Sequence, residues 1–123
     1  MKERALQIKT PSGWKVAGKV IKIEGKWCFY REVSKNKHAF HTFDAWSIQA
    51  SLIPVLEKDC VEWFYNYDKQ SGKMYRIRLD EFIDKSVERN FGEGPQLYVS
   101  TKYFEEVDMK PIKKWIKDVE LVA

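Results

Sequence analysis

Apolar residues along the chain fall in short runs, some at strand spacing and others at helical spacing, separated by polar and glycine-bearing breaks. Trp14, Val16, Val20, Ile21 and Ile23 predict a strand over Trp14–Ile23, with Gly18 as a candidate bulge or bend. The preceding Thr-Pro-Ser-Gly at 10–13 is a turn signal that sets a short charged N-terminal stretch apart from it. Glu24-Gly25-Lys26 predicts a tight turn into a second, antiparallel strand over Trp27–Val33, rich in aromatic and β-branched residues. Polar residues dominate 34–38. Ala45, Ile48, Leu52 and Leu56 then recur at helical spacing, with Thr42 or Asp44 as N-cap and Pro54 bending or ending the helix.

Two runs, Cys60–Tyr67 and Lys73–Leu79, predict a hairpin joined by a polar turn that ends in Gly72. In its second arm Tyr75, Ile77 and Leu79 face one way, and Met74, Arg76 and Arg78 the other. Asp80 is positioned to cap a short helix, Gly92–Pro95 reads as a loop, and Gln96–Ser100 as a strand. A short helix is expected over Thr101–Val107, and a last one carries Ile112, Trp115, Ile116 and Val119 on one face. The expected order is β-β-α-β-β-α-β-α-α. It describes a single α/β domain (mixed α+β) over residues 1–123, with one twisted mixed sheet of four to five strands and helices packed on it.

Composition narrows the class. Of 123 residues, 44% are hydrophobic and 15% aromatic, enough for one real core and against wholesale disorder. A net charge of +4 permits contact with nucleic acid without demanding it. No run approaches the ~18 apolar residues of a membrane span, and the first residues lack a signal-peptide core, so a cytoplasmic protein is expected. Cys28 and Cys60 stand in separate apolar runs and are expected to be buried free thiols; their spacing excludes a zinc knuckle.

Candidate chemistry is sparse. His38, His41 and Asp44 make an H-x-x-H-x-x-D run in a polar connection, which gives no reason for three ligands to converge, and no metal is assigned to it. The acid pairs Asp80–Glu81 and Glu105–Glu106 are sequence neighbours, whose side chains point apart. Arg76 and Arg78 share a strand face, Lys35 and Lys37 follow another strand, and Tyr30, Trp63, Tyr65 and Tyr67 interleave with them. Cations among aromatics suit phosphate contact with base stacking.

A strand ending in Glu32-Val33, a lysine-bearing turn, a helix carrying Gln49 and then VEWFYNY…KMYRIRLDEF follow one another from Trp14 to Ile83. This order resembles the PD-(D/E)XK nuclease superfamily, in particular bacterial Holliday-junction resolvases of the RecU type. The resemblance implies a restriction-endonuclease-like topology, with two carboxylates holding a divalent metal and a lysine orienting the attacking water. Glu32 matches the motif glutamate. Ser34 stands where the lysine belongs, Lys35 is displaced by one residue onto the other face, and Ala17–Val20 hold no aspartate.

The resemblance thus implies a degenerate nuclease-like core. The expected function is nucleic-acid binding without efficient cleavage, of the kind accessory proteins of phages and other mobile elements perform. Lys35, Lys37, Arg76 and Arg78 would contact phosphate, Tyr30 and Tyr65 bases, and no cofactor is required. The alternative is an active nuclease using Glu32, Glu24 and Lys35 with magnesium or manganese. A third reading is a non-enzymatic protein-interaction module, with a homodimer as its simplest form.

Overall fold

A computed structural model of the chain describes residues 3–33, 38–39, 44–90, 92 and 94–117. In chain order it contains β1 (Arg4–Thr10), β2 (Gly13–Ile23), β3 (Lys26–Val33), β4 (His38–Ala39), β5 (Asp44–Gln49), α1 (Ile53–Lys58), β6 (Trp63–Asp68) and β7 (Lys73–Arg78). Then come α2 (Leu79–Lys85), β8 (Val87–Arg89), β9 (Gln96–Ser100), β10 (Glu105–Val107) and α3 (Lys113–Lys117). The main sheet has six strands in the order β1-β2-β3-β6-β7-β10. Its β3–β6 pair is parallel and the others are antiparallel. A small second sheet pairs β5 with β9 and β9 with β8, and the two-residue β4 adds a bridge to β5.

The two hairpins read from the sequence form as expected. Glu24 (φ 52°) and Gly25 (φ 80°) make a two-residue loop with both residues left-handed, whose twist matches that of the flanking strands. The irregularity expected at Gly18 lies one residue earlier: Leu6 pairs with Gly18 and Gln7 with Val16, so Ala17 is unmatched. Gly18 answers a different need. A Cβ there would lie 2.6 Å from Cζ of Phe29 and 2.8 Å from the carbonyl oxygen of Tyr30.

Several expectations are corrected. The main sheet has six strands rather than four to five, a second sheet stands beside it, and the helices are short. The charged N-terminal stretch supplies an edge strand, Arg4–Thr10. The helix expected from Asp44 is strand β5, registered with β9 from Ala45↔Ser100 to Gln49↔Gln96. Trp46 and β-branched Ile48 suit a strand, and pairing with β9 overrides the helical spacing, which continues only into α1. Pro54 occupies the first turn of α1, where its missing N–H costs nothing, so it opens the helix rather than ending it. Asp80 lies inside the first turn of α2 and not at its N-cap, a position held by Arg78 without a side-chain capping hydrogen bond. Thr101–Tyr103 is a single 3₁₀ turn, followed by strand β10. The Thr42 cap and Val119 lie outside the described residues.

Apolar side chains cover both faces of the main sheet. One core joins Phe29, Val33, Phe64 and Ile77 of that sheet to Trp46 and Val99 of the small one and to Leu56 and Phe82 of the helices. Phe64 lies at its centre, 5.3 Å from the ring of Phe29 and 5.0 Å from that of Phe82. On the opposite face Ile21, Cys28, Tyr30, Tyr65 and Met74 are covered by Ile112, with Trp115 and Ile116 of α3 beside it. Strand alternation therefore places Phe29, Arg31 and Val33 of β3 toward the first core, and Cys28, Tyr30 and Glu32 toward the second. Both cysteines are free, but only Cys28 is buried; Cys60 is exposed.

Candidate functional site

Glu24 lies in the turn that precedes β3 and Glu32 near the far end of the strand, and the six steps from Lys26 to Glu32 alone span roughly 20 Å. Glu32 already has partners. Tyr30 donates its hydroxyl to Oε1 at 3.3 Å, and Nζ of Lys69 approaches Oε2 at 3.1 Å. Lys19, buried on the neighbouring strand, feels the same carboxylate; burial lowers its pKa and Glu32 opposes that. Cations do reach the motif glutamate, then, but from β2 and from the β6–β7 turn. Among the described residues no three His, Cys, Asp or Glu side chains gather as a metal would need. Gln49, placed on a helix by the resemblance, ends strand β5. Lys35, Lys37 and His41 lie outside the described residues, as do the side chain of His38 and its relation to Asp44.

The expected basic–aromatic strand is present, but internal contacts occupy it. Arg76 stacks on Trp63 with its guanidinium carbon 4.0 Å from the ring centroid. Its Nε donates to Glu105, and its Nη1 donates to the Tyr65 hydroxyl at 3.2 Å. Arg78 donates to Oδ1 of Asp80 at 3.3 Å, and its guanidinium carbon lies 5.4 Å from the centroid of the same tryptophan. Tyr30 and Tyr65 are buried and offer no face for a base to stack on. Burial raises the pKa of both phenols; Glu32 adds to the shift at Tyr30, while the Arg76 hydrogen bond opposes it at Tyr65.

A different arginine has no carboxylate partner among the described residues. Pairing of β2 with β3 stops at Lys19↔Tyr30, and beyond it the β1–β2 hairpin no longer follows β3. A cleft of about 400 Å³ lies there, walled by the hairpin, by the end of β3 and by the small sheet. Arg31 lines it from β3, Lys15 from the hairpin, and Gln49 and Gln96 from the small sheet. Nε of Arg31 donates to Oδ1 of Asn66 at 3.0 Å, and its guanidinium lies 5.2 Å from the centroid of Phe64. Its Nη2 is out of contact with solvent and has no hydrogen-bond partner. Burial lowers the Arg31 pKa to about 10, which still leaves the group charged at neutral pH.

The hairpin beside the cleft carries the other feature the sequence reading passed over. Trp14 is 66% exposed, lies opposite Lys9 across the strand pair and precedes Lys15. Val16, two residues on and on the same side of β2, is exposed as well. Trp14 looked like an ordinary apolar strand position. The charged stretch before it would have marked the hairpin as a solvent-facing edge, had it been read as a strand. Comparison with family models, with curated proteins and with solved structures finds no match for the chain.

Proposed function

We propose that the chain binds single-stranded nucleic acid and does not cleave it efficiently. The observation that carries this reading is Trp14, a large aromatic ring two-thirds exposed and directly across the strand pair from the exposed Lys9 on the β1–β2 hairpin. A base stacked on such a ring contributes about 1–3 kcal/mol whatever its identity, while Lys9 beside it meets a phosphate. The +4 net charge favours the same class of partner. The missing cleavage has its own support: Glu32 is held by Tyr30 and Lys69, and Glu24 lies in the turn before the other end of the strand. The degenerate nuclease-like core implied by the sequence resemblance is part of this proposal. A labelled single-stranded oligonucleotide titrated at rising salt tests it. Affinity should fall steadily with salt, and Trp14→Ala should weaken it about tenfold, equivalent to ~1.4 kcal/mol. No binding at low salt would defeat the proposal.

A further inference from the structure

We propose that the cleft beside Arg31 is a binding site for a phosphomonoester, with Arg31 and Lys15 holding the phosphate. Burying a guanidinium without a counter-charge is costly, and one amide oxygen with one aromatic face compensates it only in part. The uncompensated nitrogen belongs to a side chain that lines the cleft, which the second cation, Lys15, also lines. Among the described residues the only acid lining it is Glu32, whose carboxylate is held by Tyr30 and Lys69. A carboxylate ligand would balance one of the two cations; a phosphomonoester, at about −1.5 to −2, balances both. A charge-assisted hydrogen bond from the guanidinium to a phosphate oxygen is also about twice as strong as one to a neutral acceptor. Ile8, Val16, Ile48 and Leu52 give the cleft apolar walls for the body of the ligand, and Gln49 and Gln96 offer amides to its polar edge. A cleft of about 400 Å³ is within the range of small-molecule sites and has room for a nucleotide.

The site stands apart from the Trp14 hairpin reading and can hold if that reading fails. Calorimetric titration in phosphate-free buffer tests it with inorganic phosphate, a nucleoside 5′-monophosphate and the matching nucleoside. The monophosphate should bind, and the nucleoside should bind at least tenfold more weakly. Arg31→Met should reduce monophosphate affinity at least tenfold. Its melting temperature should change little, because relief of the buried charge offsets the loss of the donor to Asn66. Lys15→Glu, on an exposed strand position, should lose binding with the fold intact, and Trp14→Ala should leave monophosphate binding unchanged. Oligonucleotides with and without a 5′-phosphate identify the source. A tenfold preference for the phosphorylated end assigns the site to strand termini, and equal affinity assigns it to free nucleotides. No monophosphate binding at millimolar concentration, or full affinity in folded Arg31→Met or Lys15→Glu, would overturn the proposal.

Discussion

Trp63 and Phe64 are neighbours on β6, point to opposite faces of the same sheet, and each carries an arginine over its ring. The two arginines have opposite electrostatic settings. Arg76, over Trp63, is 30% exposed and shared between Glu105 and Tyr65. Arg31, over Phe64, has an amide oxygen for a partner and, among the described residues, no carboxylate and no acceptor for one buried nitrogen. A cation available to a ligand is one whose neutralisation inside the molecule is incomplete. By that criterion the conspicuous basic strand is structural, and the cation left for the proposed ligand lies on the other face.

The comparison can be broken most forcefully at the rings. Phe64→Ala should cost about 4 kcal/mol in denaturant unfolding, since it empties the centre of a closely packed core. Trp63→Ala, on the half-buried face, should cost about 1–2 kcal/mol, from partial burial and an exposed cation–π contact. Equal losses at the two positions would show that the faces do not differ as described.

Gly18→Ala comes next, at about 2–3 kcal/mol, because the new methyl meets a ring and a backbone carbonyl together. An unchanged melting temperature would contradict that close approach, which fixes where the hairpin leaves β3. Glu105→Gln should cost under about 1 kcal/mol, as expected of an ion pair at the surface. A much larger loss would mean that Arg76 is more deeply engaged than its exposure implies.

Alkaline pH separates the two faces as well. Burial raises the Cys28 thiol from 9.0 to about 12, so the folded state holds that proton where the unfolded state has released it. Stability from this group is complete below pH 9 and declines as pH rises toward 12. The buried Tyr30 acts in the same direction above pH 10. Arg31 acts oppositely: its pKa is lowered to about 10, so its unfavourable contribution is full below that pH and is relieved above it. From pH 9 to 10 the loss at Cys28 is opposed by Lys19, whose pKa burial lowers, so the Cys28 contribution is read by difference against a variant that lacks the thiol. Across that interval the melting temperature should fall more in the natural chain than in Cys28→Ala, even though the cavity lowers the variant's overall stability.

The sequence reading recovered the elements whose hydrophobic pattern and turn chemistry agree: the β2–β3 and β6–β7 hairpins, the β9 strand and the alternation of Met74 through Ile77. It failed where two periods overlapped. Ala45, Ile48, Leu52 and Leu56 keep helical spacing, yet pairing with β9 makes the first part a strand, and only long-range contact supplies that information. Arg4–Thr10 failed for another reason. An edge strand can be mostly polar, and its charges concealed it. At the site, the sequence gathers the cations Arg76 and Arg78 but says nothing of Glu105, which joins Arg76 only when β10 pairs with β7. Arg31 lies between two apolar residues, Tyr30 and Val33, with Glu32 beside it, and looked like one more strand-surface charge. Its isolation emerges once parallel pairing sets Asn66, and no acid, opposite it.

The contrast between the two arginines is tested most directly by one titration. A nucleoside 5′-monophosphate is added at fixed low salt to the natural chain, Arg31→Met and Arg76→Gln, with folding of each checked by circular dichroism. Arg31→Met should weaken binding at least tenfold and Arg76→Gln no more than twofold. The reverse order, with Arg76→Gln the damaging change, would contradict the assignment of the binding charge to Arg31.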